Sequence, residues 1–243
     1  MSLAGSARRA LNCGLGILGL RIERVFPEKD PEWVLQNLIQ SKEPAAIFDI
    51  GANKGQFAKH CRKLGYRGWI YSFEPGTEAF SELKAEKSRD RKWLCFQVGM
   101  GAQERAVRLG VTENSESSSI LSMKAAHLEA APESKVVSWE DIKLITLDQW
   151  MIENLIQTDS IFLKIDVQGF EVEVLKGASK ALEKTKILQV EMSLQPLYEG
   201  APDFREIYDW AASHGFVSFS FLPNFVDRRS GQWLQVDGLF VRP

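Results

Sequence analysis

Four carboxylates stand at or near the ends of apolar runs in this chain. Asp49 lies within Ala46–Ile50, Glu74 follows Trp69–Phe73, Asp166 follows Ile161–Ile165, and Glu191 comes late in Ile187–Met192. A carboxylate so placed can accept a hydroxyl's hydrogen bond, hold an ammonium, or take a proton during nucleophilic attack. Asp49 runs directly into a glycine turn, Asp49-Ile-Gly-Ala-Asn-Lys-Gly-Gln-Phe57. Gly51 and Gly55 let the chain bend sharply and let a ligand approach the backbone N–H groups and a helix start. Glu74 lies about 20 residues beyond the turn, where a carboxylate can accept both hydroxyls of a ribose. A dinucleotide site would carry G-x-G-x-x-G, but counting from Gly51 the other two positions are Asn53 and Gln56. The pattern therefore points to an adenosine-containing ligand rather than a nicotinamide or flavin dinucleotide.

The elements that position these residues are regular in the first half. Asp30-Pro31 starts a helix, with Asp30 as N-cap. Strand Ala46–Ile50, helix Lys54–Leu64, strand Trp69–Phe73, helix Thr77–Lys87 (burying Phe80 and Leu83) and strand Trp93–Val98 alternate as in a parallel, doubly wound α/β sheet. Gly99 and Met100, after the third strand, are placed to line an adenine. An irregular insert around 105–140 follows. It holds an extra edge strand, Ala106–Val111, a polar loop at Asn114–Ser119, and an ambiguous stretch from Met123 to Val137. Leu144–Leu155 reads as a short strand running into a helix. Ser160–Asp166 is a buried strand with a turn at Gly169, and Ile187–Met192 is a fifth strand. Asp203-Phe-Arg-Glu206 has capping-box spacing and opens a helix burying Phe204, Ile207, Tyr208 and Ala211. Phe216–Leu222 and Trp233–Val241 have no helix between them, so they pair antiparallel.

The totals bound the rest. The 243 residues are 44% hydrophobic and 26% charged, with net charge −2. Nothing there favours nucleic acid or an anionic membrane surface. The three cysteines, Cys13, Cys61 and Cys95, are scattered. They argue against a disulfide framework or a zinc site and for a reducing, cytoplasmic setting. No apolar run is long enough to span a membrane. Near the start, Arg8-Arg9 precedes Leu11–Leu20 in the order of a signal peptide. Asn12 and three glycines interrupt that run, and Arg21, Glu23 and Arg24 follow it, so residues 1–44 read as a helical docking segment. Residues 45–243 read as one domain.

Several motifs, taken together, carry a family resemblance. Phe48–Phe57, Phe73-Glu-Pro75, Leu163-Lys-Ile-Asp-Val-Gln-Gly-Phe-Glu171 with its continuation to Ala178, Val190-Glu-Met-Ser193, Leu197-Tyr-Glu-Gly200 and Asp237–Arg242 resemble the FkbM family of S-adenosylmethionine-dependent methyltransferases. The resemblance runs from about Ala46 to Arg242. It implies the Rossmann-like class I methyltransferase sheet of seven strands, order 3-2-1-4-5-7-6, with strand 7 antiparallel. It also implies S-adenosyl-L-methionine as cofactor and the hydroxyl of a sugar, glycan or secondary metabolite as acceptor. Asp49, Gly51, Ala52, Asn53, Gly55, Phe57, Glu74, Pro75, Gly99, Met100 and Asp166 are the expected cofactor contacts, with Asp49 helping to hold the methionine end. Asp166 and Glu191 are the candidate bases, and Lys164 can pair with either. No third ligand for a metal is evident. The Ser-rich loop Asn114–Ser122 and the N-terminal segment are expected to close over the acceptor, with His127 a possible lid residue. His60 and His214 read as solvated or helix-terminal. Gln168 departs from the family, which usually carries Glu there; on the sequence it is a turn position near the pocket. A cofactor-binding module without catalysis, or an NAD-dependent oxidoreductase, are the alternative readings. Gly51→Val is expected to abolish cofactor binding with the fold largely intact.

Overall fold

A computed structural model of the chain describes Leu15 and residues 30–243. Two compact units are distinguished, Met1–Leu38 and Ile39–Pro243. Most of the expected docking segment over 1–44 lies outside the described residues. Its end is helix α1 (Pro31–Lys42), which Asp30 caps by accepting the Glu32 N–H at 3.0 Å.

The larger unit alternates strand and helix as expected. In chain order it contains β1 (Ala46–Ile50), α2 (Gln56–Lys63), β2 (Trp69–Phe73), α3 (Thr77–Glu86) and β3 (Trp93–Phe96). The insert follows: β4 (Gly99–Met100), β5 (Arg105–Thr112), α4 (Ala125–Ala130) and β6 (Val136–Ile145). Then come α5 (Leu147–Glu153), β7 (Ile161–Ile165), α6 (Glu171–Lys176), α7 (Ser179–Glu183), β8 (Thr185–Ser193), α8 (Phe204–Ser213), β9 (Val217–Pro223) and β10 (Gln235–Val241). Seven strands form the main sheet in the order β3-β2-β1-β7-β8-β10-β9. β10 runs antiparallel to both neighbours, while the other pairings are parallel. Counted among these seven alone, the order is 3-2-1-4-5-7-6, the class I methyltransferase arrangement.

Central strands β1 and β7 are buried at every residue, because helices cover both faces of a parallel sheet. On one face Trp150 of α5 stands edge-on to Phe48, Tyr71, Phe73 and Phe96, with ring centroids 4.7–6.1 Å away. That arrangement suits aromatic quadrupoles and locks the first three strands against α5.

Some local expectations change. Gly99–Met100 leaves the main sheet and joins a three-stranded sheet, β4-β6-β5. The insert is thus better ordered than its sequence implied: β6 spans ten residues, most of its first half exposed on both sides, so it shows no apolar periodicity. In α3 Ala79 is buried with Leu83, and Phe80 is half-exposed. In α8 Tyr208 is exposed, while Ile207 and Ala211 are buried. Asp203 does cap α8, accepting the Glu206 N–H at 3.0 Å. Asp203→Ala is therefore expected to lower stability by about 1 kcal/mol, read as a shift in the urea midpoint at unchanged slope.

Candidate active site

The carboxyl ends of β1, β2, β7 and β8 open onto one cavity of about 310 Å³. Its middle is the glycine turn, whose backbone donors from Gly51 to Gly55 are all engaged. Gly51 and Ala52 both donate to the Phe73 carbonyl at 3.0 Å, and Gly55 donates to the Ala52 carbonyl at 2.8 Å. Asn53 N–H donates to Glu74 Oε2 at 2.8 Å, and Lys54 N–H to Gln56 Oε1 at 3.0 Å. The turn therefore has no free N–H row to cradle an anion, contrary to the first expectation from its glycines. This is the physical reason it differs from a pyrophosphate turn.

Gly51 (φ 74°) is required for a different reason. A β-carbon there would lie 1.8 Å from the Asp166 carbonyl oxygen. A side chain would push apart the ends of β1 and β7. This overturns the expectation for Gly51→Val, which would disturb the fold together with any ligand. Gly55 (φ 83°) does not line the cavity. A β-carbon there would meet the Trp93 ring at 2.8 Å, so its role is packing at the start of α2.

Asp49 also does not reach the cavity. It is fully buried; its Oδ2 accepts from Ser72 Oγ at 3.2 Å, and Ser72 in turn accepts from Trp93 Nε1 at 2.9 Å. Burial raises its carboxyl above the ordinary range, opposed by Lys164 and Ser72. Asp49, expected among the cofactor contacts, does not line the cavity and instead pairs with Lys164, which does. The Lys164 ammonium lies 3.2 Å from Asp49 Oδ1 and 3.5 Å from Asp166 Oδ2, and donates to the Gly51 carbonyl at 2.9 Å. Burial alone would favour losing its proton, but the two carboxylates outweigh burial and its pKa is raised. Lys164 thus ties the β1 turn to the β7 end as a buried cation.

Glu74 forms one side of the cavity. Its Oε2 holds Asn53, its Oε1 accepts the Gly76 N–H at 2.8 Å, and only 9% of the residue is exposed. Burial pushes its pKa up to about 7, against those two N–H donors. Beside it the lining is apolar and includes Val98, Met100, Leu109, Ile142 and Leu144, with Pro75 and Gly99 adjacent. Leu109, Ile142 and Leu144 come from the second sheet, so the insert supplies much of this slot.

The other end is acidic. Asp166, Glu191 and Asp237 meet there with Gln168, Gln189 and Asn224. Gln168 (φ 55°) bridges the two candidate bases: its Nε2 donates to Asp166 Oδ1 at 2.8 Å and to Glu191 Oε2 at 2.9 Å. Its Oε1 accepts from the Tyr198 hydroxyl at 2.6 Å. Gln168 is thus a linking group, a role the sequence did not reveal. Glu191 is buried, and Gln168, Gln235 (2.7 Å) and Asn224 (3.0 Å) between them engage both its oxygens. Its pKa is raised by burial, then by Asp166, Glu171 and Asp237. Asp237 faces Glu191 across the β8–β10 pair. Burial and Asp166 push it up to about 7. The Asp166 side chain is 29% exposed, whereas Glu191 is only 4% exposed, so of the two candidate bases Asp166 is the one open to a substrate.

The donor set fits a nucleoside joined to an amino acid. An apolar slot beside a carboxylate suits a purine and its ribose, and the acidic end suits a cationic group. The Ser-rich loop closes over the turn, with Ser115 Oγ donating to Asn53 Oδ1 at 3.1 Å and Gln56 Nε2 to Glu116 Oε1 at 3.0 Å. His60 lies half-buried on α2. His214 stacks on Trp210 at 3.8 Å at the end of α8. Among the described residues, no group of three or more His, Cys, Asp or Glu side chains is placed to hold a metal ion, and no helix is long and apolar enough to cross a membrane.

Known proteins resemble this chain at three levels. It is 26% identical over 189 residues to the 2-O-methyltransferase NoeI of Sinorhizobium fredii, covering 75% of this chain and 76% of that protein. It is 26% identical over 157 residues to the hexuronic acid methyltransferase AglP of Haloferax volcanii, covering 64% of this chain and 59% of that protein. The crystal structure of magnesium protoporphyrin IX methyltransferase (ChlM) from Synechocystis PCC 6803 with bound SAM covers 100% of this chain and 98% of its own, at TM-score 0.46 and 10% identity. The model of the methyltransferase FkbM domain matches residues 49–218, from the aspartate of the glycine turn into β9, and the chain belongs to that family.

Proposed function

We propose that the cavity binds S-adenosyl-L-methionine and that the chain methylates a hydroxyl of a sugar, glycan or related metabolite. The observation that carries this reading is the division of one cavity between a buried ribose-type carboxylate, Glu74, and an acidic end around Asp166. The names of NoeI and AglP support a carbohydrate acceptor. When bound, the cofactor supplies a sulfonium-activated methyl group.

Glu74 accepts the two ribose hydroxyls, and Val98, Met100 and Leu144 pack on the purine. Gly51–Asn53 and Phe57 shape the channel between the two ends. Asp166 would orient the acceptor hydroxyl and take its proton as the methyl carbon leaves the cofactor sulfur for that oxygen. Glu191, fully engaged by amides, holds Gln168 and through it Asp166. Lys164 holds Asp166 on its other side. The expected division into a docking segment over 1–44 and a catalytic domain over 45–243 is part of the same proposal.

Calorimetry should give tight binding of S-adenosylmethionine and none of NAD. Labelled methyl should then pass to members of a glycoside panel. NAD binding without S-adenosylmethionine binding would overturn the reading; cofactor binding without transfer to any hydroxyl would leave a non-catalytic module. Glu74→Gln is expected to weaken cofactor binding by roughly 10- to 100-fold, the loss of charged hydrogen bonds. Ribose hydroxyls favour the ionised form of a carboxyl that otherwise titrates at about 7. Wild-type binding should therefore release a proton near neutrality and tighten as pH rises through 7. Titrations in buffers of different ionisation enthalpy check this, and Glu74→Gln should lower the proton release, leaving the share that the acidic end around Asp237 contributes.

A further inference from the structure

A second cavity of about 610 Å³ adjoins the acidic end of the first. The two share Glu116, Gln168, Glu191 and Asn224 as lining, so Gln168 and Glu191 stand at their common wall, with Asp166 on the side of the first cavity. On the far side is His127 of α4. It is 2% exposed, and its Nδ1 has no hydrogen-bond partner in the structure. An unpartnered buried polar atom is costly, and a turn of the ring toward the cavity would let a ligand hydroxyl offset that cost.

Burial pushes His127 down to about 4, so the ring is neutral at physiological pH, with one donor and one acceptor nitrogen. It stands edge-on to Tyr198 and tilted to Phe225, each with centroids 5.2 Å away. Phe225 gives the cavity an apolar face. The rest of the lining is polar on many sides: Glu116, Glu133, Gln235 and Asn224, with the single guanidinium of Arg228. An anionic ligand meets more carboxylates than cations there, and a cationic ligand must sit beside Arg228. A ring with hydroxyls on its rim and an apolar face meets every group favourably.

We propose that this second cavity is the acceptor site and takes an uncharged, hydroxyl-rich glycosyl ring, with His127 and Phe225 as its recognition residues. The proposal rests on the reading of the first cavity as the cofactor site. It adds which residues select the acceptor, and it predicts that a uronic acid ring is disfavoured here.

The test uses the full chain loaded with S-adenosylhomocysteine and saturation-transfer NMR on methyl glycosides. The probes are neutral methyl hexopyranosides, methyl glucuronoside and methyl glucosaminide. Saturation should pass to at least one neutral glycoside more strongly than to either charged one. Ala130 lines the second cavity and not the first, so Ala130→Trp adds bulk there. It should abolish that transfer while S-adenosylhomocysteine affinity stays within about twofold by calorimetry. His127→Phe, which keeps the ring and removes its nitrogens, should weaken glycoside binding at least fivefold. Unchanged transfer in a folded Ala130→Trp or His127→Phe protein would overturn the proposal. So would preference for a charged glycoside, or no transfer to any neutral probe from a protein that binds the cofactor. Failure of the wild type to bind the cofactor would instead sink the reading of the first cavity.

Discussion

Asp166→Asn is expected to lower methyl-transfer turnover by about 10²- to 10⁴-fold, the usual contribution of a positioned base. Acceptor KM should move by less than about threefold, because Asn keeps the shape and a carbonyl oxygen for Gln168. The reason for choosing Asp166 over Glu191 is accessibility. Three amides engage both Glu191 oxygens in a buried setting, whereas Asp166 has one amide on Oδ1 and the Lys164 ammonium 3.5 Å from Oδ2. Single-turnover transfer on cofactor-saturated protein separates the chemical step from binding. Activity equal to wild type would remove Asp166 from proton transfer.

The second large effect is at Gln168, and it reads out in stability. Gln168→Glu replaces an amide that donates to two carboxylates with a group that can only accept when ionised. Three carboxyls would then meet beside Tyr198. The new carboxyl would keep its proton in the folded chain to a higher pH than in the unfolded one. The folded state then binds more protons, so stability is retained below the ordinary glutamate pKa, about 4.3, and lost as pH rises through the raised value. At pH 8 the expected loss is about 3–5 kcal/mol, the scale for breaking a buried polar network. It should shrink steadily toward pH 5. Thermal melts of variant and wild type across that range check it; a loss independent of pH would mean that Gln168 does not link the carboxylates.

The sequence made the main sheet legible because its strands are short apolar runs separated by helices with clear stops at Gly65 and Gly215. The final antiparallel pair was legible for the converse reason, the lack of a helix between two runs. In the insert β5 was legible from the alternation of Ala106–Val111, whereas β6 was not, because its first half is mostly exposed and shows no period to read. Within the site, Glu74, Asp166 and Glu191 could be placed from strand ends alone. Asp49 could not be assigned a side, since a strand buried on both faces gives no sign of which one meets the ligand. Lys164 stood out in an apolar run, but its two partners lie on different strands. Asp237 and Asn224 were missed because their approach to Glu191 depends on the β8–β10 register and on the loop after β9. A signal for Asp237 was present in the motif Asp237–Arg242, where an acidic residue stands inside a largely apolar strand.

The contact between Gly51 and the Asp166 carbonyl also bears on the order in which this protein is made. The glycine turn leaves the ribosome long before β7 does, with the whole insert synthesised between them. Until Ile161–Asp166 arrives, β1 lacks its second neighbour, Lys164 is missing from beside Asp49, and the turn is open on one side. Closing so distant a pair is slow compared with local helix formation. A nascent chain truncated before β7 therefore carries the complete cofactor motif as text but not as a site. The cofactor can first stabilise the fold only once β7 has followed the insert out.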